Sequence, residues 1–311
     1  MLETLSMPMP IAKQLSITKQ HSKLGSFISL CSLNELPVLQ IRHPKAEAAI
    51  SLHGGHLIQF RPTGEKDVIW LSDKAFFRKD KAIRGGVPVC WPWFGPLASP
   101  SHGFARISQW QLLDHQENEQ EVVIRIILQS SPETRDIWPH DFSATLTFTI
   151  SDTLSIDLEV TNTDLHPWQW SGALHTYFNI AEAAATRITG MGDDYLDSLK
   201  GNQPSNSSEP LLINQSIDRV YTAPSTRTRI HDNFNLRTIV VNNSGHNSVV
   251  IWNPWEEISA TMTDMNDHGY NTMVCVEATR FANALDECPV LNPGQSHRLG
   301  THISVSPPAD T

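Results

Sequence analysis

No apolar run in this chain of 311 residues approaches the roughly 18 residues that cross a bilayer as a helix, and the opening MLETLSMPMPIAKQLSITKQ lacks the unbroken apolar core of a secretion signal. A soluble, cytoplasmic protein is expected. Cation-rich stretches are missing as well: 23 Lys and Arg stand against 33 Asp and Glu, for a formal charge of -10. Nucleic acids and anionic membranes attract the opposite field, so neither is expected as a partner. An anionic small molecule would have to be held by a few placed cations. The four cysteines, Cys31, Cys90, Cys275 and Cys288, include no CxxC pair, and disulfide scaffolds belong to shorter secreted chains. They read as reduced structural thiols. None of the 14 histidines falls in HxH or HExxH spacing. His53 and His56, in HGGH, come nearest to a ligand pair, and a Gly-Gly turn between strands explains them at least as well. No metal and no cofactor are expected, and the absence of a GxGxxG or P-loop pattern removes support for a nucleotide.

What the chain has instead is period-two patterning. Between Thr145 and Asn162, Leu146, Phe148, Ile150, Leu154, Ile156, Leu158 and Val160 alternate with Thr, Ser, Asp and Glu, and Ser151 and Asp152 interrupt the run. This predicts a β-hairpin with one buried and one wet face. Short strands are predicted again at 38–41, 121–128, 174–180, 238–241, 249–252, 273–277 and 302–305, a density that indicates a sandwich or a barrel. Long amphipathic helical patterns are scarce, so helices should be few and short. The segment GNQPSNSSEP (201–210) reads as a mobile surface loop. Residues 1–25 read as a poorly ordered extension and 26–311 as a single domain.

Three segments carry groups suited to chemistry. In MVCVEATR, Glu277 follows a run apolar on both faces, as in a central strand, where desolvation would raise its pKa above the reference of about 4.3 and make it a better proton acceptor near neutrality. An exposed strand end with Glu277 paired to Arg280 is the alternative. In ALHTYFNI, Ala173, His175, Tyr177 and Asn179 share one face, which would suit a sugar ring; a hydrogen-bonded surface histidine is the plainer account of His175 alone. In IRGGVPVCWPWFGP and the nearby HGFAR, Arg84 and Arg106 could converge on one anion, with Trp91, Trp93, Phe94 and Phe104 as a pocket wall or as ordinary core.

Taken together, IRGGVPVCWPWFGP, HGFAR, ALHTYFNI, IDRVY and EATRFANALDECPVLNPGQSHRL resemble, from about residue 30 onward, the glucose-6-phosphate 1-epimerases of the aldose 1-epimerase (galactose mutarotase-like) superfamily. The resemblance implies a large antiparallel β-sandwich of the all-β class, with few short helices and a shallow pocket on one sheet. It implies a mutarotase, an isomerase that interconverts the anomers of a hexose 6-phosphate without a metal or cofactor, with a sugar phosphate as its partner and a monomeric state. By the same resemblance His175 is the general acid, Glu277 the general base, Arg84 and Arg106 hold the anionic end, Asp218 contacts sugar hydroxyls and His102 lines the pocket. Some relatives carry glutamine immediately before that histidine, where this chain has Ser101. An epimerase of unphosphorylated hexoses and a non-catalytic sugar-binding protein are the alternatives.

Overall fold

The computed structural model describes residues 19–308. Three antiparallel sheets account for most of the chain. The first is a five-stranded meander from Lys19–Lys23 to His56–Pro62, paired in chain order. The second has nine strands and contains the predicted hairpin, observed as Phe142–Ile150 and Leu154–Asn162 with Ile150 opposite Leu154. Burial alternates residue by residue along both strands, which is the pattern the sequence shows. The third has eight strands, with Met273–Arg280 flanked by Ser248–Asn253 on one side and by Gly172–Leu174 and Tyr177–Asn179 on the other. Inner-face residues of all three, among them Ile41, Phe148, Leu158, Val274 and Val276, join one continuous apolar core. This is the expected β-sandwich. The α-helices, Pro132–Ile137 and Trp255–Ser259, are short. No helix among the described residues is long and apolar enough to cross a membrane.

Two expectations meet a different structure. Residues 1–18 of the expected N-terminal extension lie outside the described residues, but Lys19–Lys23 form a strand, because the edge of Ile28–Leu33 offers backbone partners. The polar segment 201–210 contains a strand, Gln203–Asn206, paired with Asp194–Asp197. Its end is tied by Glu209, whose carboxylate Oε1 accepts from the backbone N–H groups of Gly190, Met191 and Gly192 at 2.8, 2.7 and 2.9 Å. Three charge-assisted bonds to one oxygen fix a stretch that composition alone marks as loose.

The HGGH segment is the turn between the strands Ala46–Ser51 and His56–Pro62, and its histidines hold the neighbouring chain rather than each other. His53 Nε2 donates to the Lys81 carbonyl at 2.8 Å and His56 Nε2 to the Gly85 carbonyl at 2.7 Å. Burial pushes His56 down to about 3, so it stays neutral and keeps this donor. Both bonds anchor the segment that carries Arg84. All four cysteines are free and buried.

Gly86 explains the second glycine of IRGG: its φ is +69°, and a Cβ there would collide with His56 Nε2 and the Leu57 carbonyl. Gly64, with φ +85° and open space around it, has the strained angle without the collision. Gly64→Ala is therefore expected to lose about 1 kcal/mol, and Gly86→Ala about 2–4 kcal/mol, because overpacking adds to the backbone penalty. Denaturant midpoints measure both; equal losses would refute the close-approach argument.

Candidate active site

The site is built on the face of the eight-stranded sheet that points away from the common core. Along Met273–Arg280 the even positions Val274, Val276 and Ala278 join that core, which turns Met273, Cys275 and Glu277 to the other side. All eight residues of this strand are buried, so the sequence reading of a central strand is borne out. Its neighbour is broken at residues 175 and 176, yet the pairing has the same register on both sides of the break, Leu174 opposite Ala278 and Tyr177 opposite Cys275. His175 thus falls opposite Glu277. Their side chains meet at 3.3 Å, His175 Nε2 to Glu277 Oε1. Among the described residues Glu277 Oε2 is buried without a hydrogen-bond partner, as is His175 Nδ1. Arg280 is not the partner of Glu277: it lies over the Trp170 ring and against His297.

Burial dominates the electrostatics. It pushes the Glu277 carboxyl well above its ordinary value, and the negative charge of nearby Asp218 pushes in the same direction. It pushes the His175 imidazole well below 6.5, helped by His102, Arg106 and Arg84. Because the two groups touch, they titrate as one unit, and the arrangement favours a single proton on the pair. His175 is also fixed by stacking: its ring lies 4.8 Å from Tyr177 at 11°, and Tyr177 stacks in turn on Trp70 at 5.8 Å.

The other expected residues surround this pair. Asp218 stands opposite Trp252, which stands opposite Cys275, so all three share the face. Burial raises the Asp218 carboxyl, and the Ser198 hydroxyl opposes the rise by hydrogen bonding to it. His102 has φ +63°, its Nδ1 accepts from the Gly95 N–H at 3.3 Å, and its ring is 6.0 Å from that of His175. Burial beside Arg106 and Arg84 lowers His102 to about 3, so the ring is neutral with its proton on Nε2, a fixed donor. Ser101 takes part through its backbone, its carbonyl accepting from Arg106 Nη2 at 2.8 Å.

The two arginines are not equivalent. Arg84 Nε lies 3.2 Å from the Asp264 carboxylate, and Arg84 Nη1 donates to the Tyr177 hydroxyl at 2.9 Å. Among the described residues Arg106 forms no salt bridge. Asp264 was missed from sequence, where TMTDMNDHGYNT reads as a polar loop with no motif. A separate surface hollow of about 520 Å³, lined by residues including Gln109, Gln111, Gln129 and Glu133, holds none of these groups.

The sequence profile of the aldose 1-epimerase family matches residues 37–304. This chain belongs to that family. It is 39% identical over 274 residues to a Salmonella typhimurium protein provisionally named glucose-6-phosphate 1-epimerase, covering 86% of this chain and 92% of that one. An Escherichia coli protein of the same provisional name is 39% identical over 265 residues, with 84% and 88% covered. A crystal structure of a candidate mutarotase from Salmonella typhimurium superposes with TM-score 0.88 at 37% identity, covering 93% and 97% of the two chains. A galactose mutarotase-like protein from Clostridium acetobutylicum, at 16% identity and TM-score 0.71 over 88% and 96%, shares the fold. The chain is therefore an isomerase of the mutarotase type.

In this epimerase Asp264 holds Arg84 against the ring that packs on His175. Removing one partner of a buried ion pair costs about 3–5 kcal/mol, and this pair is partly screened, so Asp264→Asn is expected to lose about 1–3 kcal/mol. The double variant Arg84→Met/Asp264→Asn should lose less than the sum of the losses of Arg84→Met and Asp264→Asn. Chemical denaturation of the four proteins measures the coupling; additive losses would show that the contact contributes nothing.

Proposed function

We propose that this enzyme interconverts the α and β anomers of a hexose 6-phosphate, with glucose 6-phosphate as the first substrate to test. The observation that carries the reading is the buried contact between His175 and Glu277 at 3.3 Å, with Arg84 and Arg106 close enough to bear on it. The provisional names of the Salmonella and Escherichia relatives support the phosphorylated sugar.

Anomerisation requires one proton removed from the anomeric hydroxyl and one delivered to the ring oxygen. Glu277 is the base, through the oxygen that has no partner, and His175 is the acid. In the resting enzyme the shared proton sits on Glu277, and for the forward step it passes to His175, leaving a carboxylate and an imidazolium in contact. Transfer to and from the sugar opens the ring to the aldehyde and leaves the pair as neutral carboxyl and neutral imidazole, the form burial favours. Rotation about the bond from C1 to C2 presents the other face of the aldehyde, and the reverse transfers close the ring. The pair begins and ends with one proton. Asp218 and the Nε2–H of His102 bind sugar hydroxyls as acceptor and donor. Arg106, with no carboxylate partner among the described residues, is the principal cation for the phosphate, and Arg84 adds to its field.

A second reading is an epimerase of unphosphorylated hexoses. The Arg84–Asp264 contact favours it, because it compensates one of the two charges that would otherwise face an anion.

Glu277→Gln and His175→Ala are each expected to lower kcat by about 10²- to 10⁴-fold without loss of fold. Unchanged turnover in either folded variant would reject its role. The pH profile of kcat/KM should be a bell. Its acid limb, where the pair gains a second proton, is expected below 6.5, since burial holds His175 down; its alkaline limb, where the pair loses its last proton, lies above 4.5, since burial holds Glu277 up. A profile with one limb would contradict the shared proton.

Arg106→Ala should weaken kcat/KM for glucose 6-phosphate by about 10- to 100-fold, as expected for a charge-assisted bond of about 1.5–3 kcal/mol, and leave glucose nearly unaffected. Arg84→Ala should show a smaller version of the same selectivity. Polarimetry or coupled assays on both sugars provide the values. A wild-type preference for glucose would transfer the assignment to the second reading.

A further inference from the structure

The mechanism uses the imidazole and the carboxyl of the central pair and leaves unexplained the thiol beside them. Cys275 precedes Glu277 by two residues on the same face of the same strand, and Cys275 Sγ, a nitrogen of His175 and a carboxylate oxygen of Glu277 lie within 4.8 Å of one another. We propose that these three residues form an inhibitory site for a thiophilic divalent cation, zinc in particular, which occupies the place of the shared proton and switches the epimerase off.

Nitrogen, sulfur and oxygen donors of this kind are those zinc prefers. Two ligands about 2.05 Å from a tetrahedral ion stand about 3.3–3.4 Å apart. The observed separation of His175 Nε2 and Glu277 Oε1 is 3.3 Å. A zinc–sulfur bond of about 2.3 Å sets the ideal distance from sulfur to the other donors near 3.6 Å, so from separations of no more than 4.8 Å the thiol has at most about 1.2 Å to close. Glu277 Oε2 has no hydrogen-bond partner, and Glu277 is only 1% exposed, so an oxygen is free to turn toward the ion.

Charge favours the same occupant. Carboxylate, thiolate and a divalent ion sum to zero, so the bound cluster is neutral in a place that Tyr177, Met265 and Met273 make apolar. Burial keeps His175 in the neutral form that a metal requires. Asp218 adds negative charge from the next strand but one, and Asp264 compensates Arg84, which leaves Arg106 as the main cation opposing the ion. Binding displaces two protons to solvent, one from the pair and one from the thiol. With Nε2 and the carboxylate both coordinated, neither proton transfer to the sugar remains available.

The test uses the full-length enzyme freed of metal by chelation and then titrated with zinc chloride. Activity should be complete before the addition, fall on titration and return with excess chelator. Cobalt chloride, bound in place of zinc, should produce a thiolate-to-cobalt charge-transfer band in the near ultraviolet. Cys275→Ser should retain kcat/KM within about threefold without metal, lose the band, and raise the half-inhibiting zinc concentration by at least about tenfold, since even outer-shell changes cost roughly 10- to 100-fold in metal affinity. Cys31→Ser, remote from the pair, should leave band and inhibition unchanged. His175→Ala should also weaken the band, which covers the case in which Cys275→Ser does not fold. Absence of a cobalt–thiolate band in the wild type, or inhibition and band that survive Cys275→Ser, overturns the proposal. The band and the heat of zinc binding are read without any sugar, so this failure is distinguishable from failure of the phosphate assignment.

Discussion

A carboxyl group buried in the middle of a β-sheet, with one oxygen against an imidazole and the other without a hydrogen-bond partner among the described residues, is the constraint on which the rest of this structure depends. Taking such a charge out of water is expensive unless it is paired or neutralised. The opposite shifts of the two groups, Glu277 up and His175 down, point to a single proton on the pair as the solution here. The cross-strand register sets the distance, the Tyr177 and Trp70 stack sets the ring plane, and the Asp264–Arg84–Tyr177 contacts hold that stack from behind. The common core on the opposite face of the same strand makes the platform rigid.

The same constraint links fold to chemistry. A central strand buried on both faces can present a carboxyl group that ordinary surface strands cannot, and ring opening of a hemiacetal needs only proton transfers. In the proposed mechanism, the energy that burial imposes on the ionic form of the pair is released when both protons have moved and the pair is neutral. The groups proposed to bind the sugar phosphate are distributed around the pair by strand order: Asp218 two strands away, His102 and Arg106 in the HGFAR segment that follows IRGGVPVCWPWFGP, and Arg84 on the segment that the HGGH histidines anchor.

Much of this was legible in the chain itself. Alternation placed the hairpin at 145–162, three residues short of its observed start at Phe142, and the apolar run before Glu277 placed that residue on a central strand. Parity put His175 and Tyr177 on one face. What parity could not supply was which strands are neighbours, so the 3.3 Å contact was out of reach, although both residues were named. Asp264 was invisible because its segment has the composition of a solvated turn, and only the tertiary structure brings it to Arg84. The loop 201–210 was misjudged for the converse reason: polar composition says nothing of a carboxylate received by three consecutive N–H groups on a distant segment. The histidines of HGGH, legible as part of a turn, acquire their function only from the loop they hold.

The protonation state of the central pair in the resting enzyme tests this account most directly. Nitrogen-15 NMR of His175, assigned by comparison with a His175→Gln variant, reads it without substrate. The account predicts a neutral imidazole at pH 7 that gains its second ring proton only well below 6.5, together with an infrared band of a protonated carboxyl that disappears in Glu277→Gln. An imidazolium at pH 7 that titrates as an ordinary histidine, with no protonated carboxyl, would contradict it.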